Sequence, residues 1–295
     1  MNLQETCKAI QTVKIQGAEH ITTAALNAFR DTIKKSHTKE KKDLMKELKF
    51  ATEQLIQTRP TEPEMRNYLH AVWTYGKTIP GPTQKMKQLL IQKINQLQKQ
   101  RKENEQQIIF FGESLIQAND IIYTHCHSST VTKILLKANK RKKITVRNTE
   151  TRPLFQGRIT AQILAKDGIP VQHFIDAAMA TAMKHANGIL IGADAITSEG
   201  VYNKMGSELL ALLANHYHIP LYVCTSLWKF DAHREKIEQR KGTEIWQHHP
   251  KGIEIHNPAF EKIHHKHIKE IVCEGGILKP KIFIKKAKRC LEKSI

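Results

Sequence analysis

The first hundred or so residues carry apolar side chains at three- and four-residue spacing. "HITTAALNAFRDTI", "DLMKELKFATEQLI" and "TEPEMRNYLHAVWTYG" each present one apolar stripe, which predicts core-facing helices. Pro63 falls near the start of the third, where a missing amide hydrogen costs little. The breaker cluster "TIPGP" at 78–82 ends that run, and a long polar helix is predicted from Thr83 to Gln107. From Ile108 the period changes. Short apolar runs now alternate with helical patterns: "DIIYTHC" then "STVTKILLKANK", "KITVRN" then "QGRITAQILAKDG", "VQHFIDA" then "MATAMKHAN", "GILIGADAI" then "NKMGSELLALLANHY", and "PLYVCTS" before a charged segment. Strands separated by helices of about 10–15 residues specify βαβ units and a parallel sheet. The predicted fold class is α/β, a helical N-terminal domain (1–107) followed by a Rossmann-like, doubly wound parallel sheet domain (108–295).

Ligands of such sheets sit at the carboxyl ends of the strands. Five candidate groups fall there. Cys126 ends "IIYTHC", Arg152 follows "ITVRN", Asp176 ends "VQHFID", Asp194 ends "GILIGAD", and Lys229 follows "LYVCTSLW". A lone cysteine is readily core filler, and an aspartate after a strand readily caps a helix. Their joint occurrence argues for a site. "SSTV" after Cys126 predicts a helix start capped by Ser128 or Ser129. Helix N-terminal amides attract anions and lower the pKa of a nearby thiol. Cys126 is thus a candidate thiolate base, with Asp194 a candidate acid if burial raises its pKa. One acid and one base across a pocket suit proton transfer between adjacent carbons of a sugar. In a strand, His125 and His127 would face away from Cys126, so the three do not converge on zinc. Neither G-x-G-x-x-G nor G-x-x-x-x-G-K-[ST] occurs, so dinucleotide binding and P-loop chemistry are unsupported.

Composition narrows the setting. The 295 residues have a formal net charge of +19, which favours anionic partners. Most lysines fall in helix faces that read as solvated, and aromatics (6%) are not interleaved with the basic runs. No stretch approaches the ~20 apolar residues of a membrane span, and "MNLQETCKAIQTVK" lacks a signal h-region. The five dispersed cysteines read as free thiols. A soluble, cytoplasmic chain is expected.

The ordered set "IQGAEHI", "TRPT", "THCHSSTV", "ETRPLFQGRITAQILAKDGIPV", "IGADAITSEGVYNKMGS", "WKFD", "EIW" and "NPAFE" resembles one superfamily over nearly the whole length. It joins archaeal-type ribose-1,5-bisphosphate isomerases, methylthioribose-1-phosphate isomerases and the regulatory subunits of translation initiation factor 2B. The resemblance implies a site in the cleft between the two domains. It also implies metal-free, cofactor-free catalysis by the pair at Cys126 and Asp194, of which the regulatory subunits typically lack one or both. It further implies substrate contacts at Gln16, Gly17, Ala18, Glu19, Arg59, Ser128, Ser129, Thr130, Gln156, Asn203, Lys204 and Lys229. Arginine is usual where Gln16 stands, and the segment from Asp194 to Asn203 is one residue shorter than usual. "GADAI" and "THCHSS" are closer to the bisphosphate enzymes. The implied reaction converts ribose 1,5-bisphosphate to ribulose 1,5-bisphosphate in nucleoside monophosphate breakdown. Alternatives are a methylthioribose-1-phosphate isomerase, or a binding subunit of the initiation factor 2B type, for which alone a translation factor or nucleic-acid partner is implied. The family also implies a homo-oligomer, dimer or hexamer.

Overall fold

The computed structural model describes residues 1–232 and 238–294. Its helices are α1 (Leu3–Gln11), α2 (Ala18–Lys35), α3 (Lys41–Thr58), α4 (Pro63–Thr78), α5 (Thr83–Ser114), α6 (Ser129–Lys142), α7 (Gln156–Lys166), α8 (Met179–Met183), α9 (Ser207–His216) and α10 (Pro280–Ser294). Its strands are β1 (Ile121–Thr124), β2 (Thr145–Thr149), β3 (Val171–Phe174), β4 (Gly188–Ile191), β5 (Ala195–Ile196), β6 (Gly200–Lys204), β7 (Leu221–Cys224), β8 (Phe260–His264), β9 (Glu270–Cys273) and β10 (Gly276–Leu278).

The chain forms two compact units. The first gathers Met1–Asn104, Trp228–Phe230 and Lys285–Ile295; the second gathers Glu105–Leu227 and Asp231–Ile284. In the first, α1 to α4 and most of α5 close around Phe29, Leu48, Tyr68, Leu69, Leu90 and Ile94. The period-3.6 stripes seen in the sequence are the faces these helices bury. Trp228 completes this core, its ring stacked on Tyr68 at 4.0 Å between centroids. The Asn67 side-chain amide donates to the carbonyls of Trp228 (2.8 Å) and Phe230 (2.9 Å). Cys290 and Leu291 of α10 pack on the same core. A buried carboxylate, Glu64, accepts from Arg101 Nε at 3.1 Å, and Arg101 also donates to the Thr23 hydroxyl at 3.0 Å. The predicted end of α5 at Gln107 is seven residues early. Ile108 and Ile109 keep helical spacing because they are buried in the second unit's core, against β1 and α6 residues.

The second unit holds a seven-stranded sheet in the order β10-β9-β7-β4-β1-β2-β3. Every pair is parallel except β10 with β9. From β1 the chain winds outward through β2 and β3, then returns to β4 and winds the other way through β7 and β9. The order therefore reverses between β1 and β4, which is where a doubly wound sheet opens its crevice. Cys126 follows β1 and Asp194 follows β4.

"GILIGADAI" reads as one strand but is two. β4 stays in the large sheet, while β5 pairs antiparallel with β6, which pairs with β8 in a three-stranded sheet. The turn between them, Gly192–Asp194, carries the chain from one sheet to the other. Asn203 and Lys204, placed in the helical stretch "NKMGSELLALLANHY", end β6 instead, because that segment pairs with β5 and β8. The strands β8, β9 and β10 are short and give weak periodic signals, since much of their stability comes from neighbours distant in sequence.

Candidate active site

The site is built where two strands end. The expectation that "THCH" continues a strand fails: β1 stops at Thr124, and Cys126 takes a left-handed backbone with φ of 64°. Such a conformation is uncommon for a residue with a side chain and costs on the order of 1 kcal/mol or more. Its neighbours hold it there. The Cys126 amide donates to Thr151 Oγ1 at 3.1 Å, and its carbonyl accepts from Thr160 Oγ1 at 3.0 Å. Thr151 is itself left-handed (φ 60°), and Asp176 fixes its loop by accepting from the amides of Thr151 (2.9 Å) and Arg152 (2.7 Å). Asp176 thus shapes the loop, the bland role of a strand-end aspartate.

Ser128 caps α6, its side chain accepting from the Val131 amide at 3.3 Å. Ser129 and Thr130 form the first turn, which contains no acidic residue, while Lys140, Arg141 and Lys142 occupy the last. The open amides and positive dipole end at Ser128–Thr130 suit an anion. The β4 end passes so close that a Cβ on Gly192 would lie 2.8 Å from Ser128 Oγ. Gly192→Ala should therefore disturb the α6 cap as well as the turn to Asp194. A loss of about 1–3 kcal/mol in denaturant unfolding is expected; an unchanged midpoint would mean the turn relaxes freely.

Gln156 opens α7. The next residue must be glycine, since a Cβ on Gly157 would lie 1.8 Å from the Thr149 carbonyl oxygen. Asn148, fully buried in β2, donates to the Gly157 carbonyl at 2.7 Å and sets that helix start. Asn203 is buried in β6 and donates to Ser207 Oγ at 2.9 Å; Ser207 in turn donates to the Lys204 carbonyl at 2.6 Å. Asn203 is thereby a strut under Lys204. The Asp194 amide donates to the Tyr202 carbonyl at 2.9 Å, which ties the carboxylate's backbone to the same hairpin.

The electrostatics join these pieces. Burial pushes the Cys126 thiol up to about 11; the Lys204 ammonium and the His127 backbone pull it down, and the Asp194 and Asp176 carboxylates push it up. The lowered thiol expected from a helix start is not met in this structure, because desolvation outweighs the amides and the ammonium. Cys126 is therefore held as a thiol at neutral pH.

Two residues set aside by the sequence reading matter here. His125 is 2% exposed and donates from Nε2 to the Met205 carbonyl at 2.8 Å. His127 donates from Nδ1 to Thr160 Oγ1 at 3.0 Å, and Thr160 holds the Cys126 carbonyl. The sequence signal for them was their position beside Cys126, which the face-alternation argument discarded.

In the first unit, Gly17 (φ 77°) caps α2 without a side-chain bond, Gln16 is exposed, Ala18 is buried, and Glu19 lies in the first turn. Arg59 ends α3 with its guanidinium 4.0 Å from the buried Glu62 carboxylate. Lys229 closes the short turn Leu227–Lys229. Cys126, Ser128, Ser129, Thr130, Gln156, Asp194, Asn203 and Lys204 belong to the second unit.

The model of the Initiation factor 2 subunit family matches residues 14–280. A ribose 1,5-bisphosphate isomerase of Pyrococcus furiosus is 34% identical over 294 residues, covering 94% of this chain and 90% of that protein. A methylthioribose-1-phosphate isomerase of Desulforamulus reducens is 28% identical over 310 residues, covering 97% and 90%. Among solved structures, a translation initiation factor eIF-2B of Pyrococcus horikoshii OT3 superposes with a TM-score of 0.83 at 25% identity, covering 96% of this chain and 98% of that one.

Proposed function

The chain belongs to the Initiation factor 2 subunit family, and on that premise we propose that it is an aldose–ketose isomerase acting on ribose 1,5-bisphosphate. What supports the proposal is that Cys126 and Asp194 follow β1 and β4, the two strands between which the strand order reverses, and that Asp194 and Lys204 both act on the Cys126 thiol. Substrate contacts are assigned to Gln16, Gly17, Ala18, Glu19, Arg59 and Lys229 in the first unit. In the second they are assigned to Ser128, Ser129, Thr130, Gln156, Asn203 and Lys204. The α6 start suits one phosphate. The product would be ribulose 1,5-bisphosphate, formed without metal, as a step of nucleoside monophosphate breakdown by a homo-oligomeric cytoplasmic protein.

The steps balance on the two side chains. Asp194, protonated, gives its proton to the ring oxygen as the C1–O bond opens. Cys126 thiolate takes the C2 proton, leaving an enol across C1 and C2. The thiol then returns a proton to C1, and the Asp194 carboxylate takes the proton of the C2 hydroxyl, which becomes the ketone. Both groups end as they began.

In this mechanism the active arrangement, thiolate with carboxylic acid, and its tautomer, thiol with carboxylate, carry the same single proton, so the ratio of the two does not change with pH until that proton leaves. The expected pH profile of kcat/KM is therefore flat from about pH 7 to 10, falling as the thiol titrates near about 11. A tenfold rise per pH unit across that range would mean the thiolate acts without the carboxylic acid.

The direct test is incubation of the purified protein with ribose 1,5-bisphosphate and with methylthioribose 1-phosphate, side by side. Formation of ribulose 1,5-bisphosphate at the higher kcat/KM supports the proposal; exclusive turnover of the methylthioribose substrate overturns it. The net charge of +19 favours a second reading, a binding subunit that contacts an acidic translation complex. Turnover of neither sugar, with an initiation factor bound, would select it.

A further inference from the structure

Next to Cys126 lies a buried polar chain that the reaction above leaves unused. Its members are Tyr123, Thr149 and His125, all within the core at the end of β1 and β2. The Met205 carbonyl can only accept, so His125 Nε2, 2.8 Å away, carries the proton. His125 Nδ1 then accepts from the Thr149 hydroxyl at 3.1 Å. Thr149 in turn accepts from the Tyr123 hydroxyl at 3.3 Å. Every donor in the chain has one direction available. Burial keeps the imidazole neutral, against Asp176, which favours the charged form, and alongside Lys204, which disfavours it. Tyr123 is likewise held protonated by burial.

The ring also touches the turn it binds. A Cβ on Gly206 (φ 100°) would lie 3.0 Å from His125 Cε1 and Nε2, so the backbone beyond Met205 rests against the imidazole. Lys204 immediately precedes this turn. Ser207, at the start of α9, donates to the Lys204 carbonyl, while His125, just after β1, donates to the Met205 carbonyl.

We propose that His125, fixed in one tautomer by Thr149 and the Met205 carbonyl, is a positioning residue that locks the turn after Lys204 to the end of β1 and so sets where Lys204 lies relative to Cys126. The proposal deepens the isomerase reading by giving Lys204 a fixed address, and rests on it only for its kinetic consequence. The groups that act on the thiol are Lys204, Asp194, Asp176 and the backbone amide of His127. Of these, Lys204 is the one whose position His125 controls.

The test needs no substrate. The rate of iodoacetamide alkylation at Cys126 is followed against pH by peptide mass spectrometry, which resolves it from Cys7, Cys224, Cys273 and Cys290. His125→Phe keeps a ring but loses both bonds. Because the ammonium lowers the thiol, loosening it should slow alkylation at fixed pH by about tenfold, one pKa unit. Lys204→Met should do the same. The double variant should be no slower than either single one, since each removes the same interaction. His125→Gln, which can still donate to the Met205 carbonyl, should recover most of the rate. If His125→Phe does not fold, Thr149→Val serves in its place, with a smaller change in the same direction. Superimposable profiles for wild type and His125→Phe, or for wild type and Thr149→Val when that variant stands in, overturn the proposal. So do additive effects of His125→Phe and Lys204→Met. Failure of the isomerase reading alone would leave these thiol profiles unchanged.

Discussion

Cys126→Ser should lower kcat on ribose 1,5-bisphosphate by about 10²–10⁴-fold while leaving the unfolding midpoint within error of wild type. The magnitude is that of losing a positioned general base. Serine changes one atom, and the groups that hold the left-handed backbone, Thr151 and Thr160, bind the main chain of residue 126 rather than its side chain. The fold thus has no reason to notice the change. The chemistry does, because an alkoxide is far harder to form than a thiolate at a site whose desolvation already raises the thiol to about 11. Single-turnover kinetics with a thermal melt on the same sample checks both halves. A rate within tenfold of wild type would remove the thiol from the mechanism.

Asp194→Asn should produce an equally large loss of kcat, and with it an effect of opposite sign on the thiol. Its carboxylate raises the Cys126 pKa, so an uncharged amide lets that pKa fall. At fixed pH the variant should alkylate faster than wild type and turn over more slowly by about 10²–10⁴-fold. A catalyst limited by thiolate supply would instead speed up. The crossing of the two readouts separates acid catalysis by Asp194 from a purely electrostatic role. Parallel gains in alkylation and turnover would leave Cys126 as the sole proton carrier.

The strand–helix alternation was legible because each large-sheet strand is a short apolar run bounded by polar turns, and each following helix keeps its own stripe. The strand-end rule then brought Cys126 and Asp194 forward without any structure. The local errors share one cause: a residue's environment overrode its periodicity. Ile108 and Ile109 look like the start of a new segment, yet they extend α5 because a second core receives them. "GILIGADAI" looks continuous, yet Gly192 must pass beside Ser128, and the chain changes sheets there. His125 was dismissed on strand alternation, but alternation had ended at Thr124. Its partner, the Met205 carbonyl, is a main-chain atom 80 residues away and leaves no mark in composition. Asn203 and Asp176 were singled out for position; in the structure Asn203 also donates to the Ser207 hydroxyl, and Asp176 accepts from the amides of Thr151 and Arg152. Position in a motif does not separate a ligand contact from the strut beneath it.

The stacking of Trp228 on Tyr68 has a consequence for the order of events during synthesis. Helices α1 to α4 bury Tyr68 only when a segment more than 150 residues later in the chain arrives, and Asn67 waits for the same segment to supply its carbonyl acceptors. Cys290 and Leu291, later still in the chain, seal another side of that core. The nascent helical unit must therefore persist with an unfilled aromatic slot until those later segments have been made. A fragment of residues 1–104 would be trapped in that condition, and chaperone demand should fall on this helical segment rather than on the sheet unit that follows it.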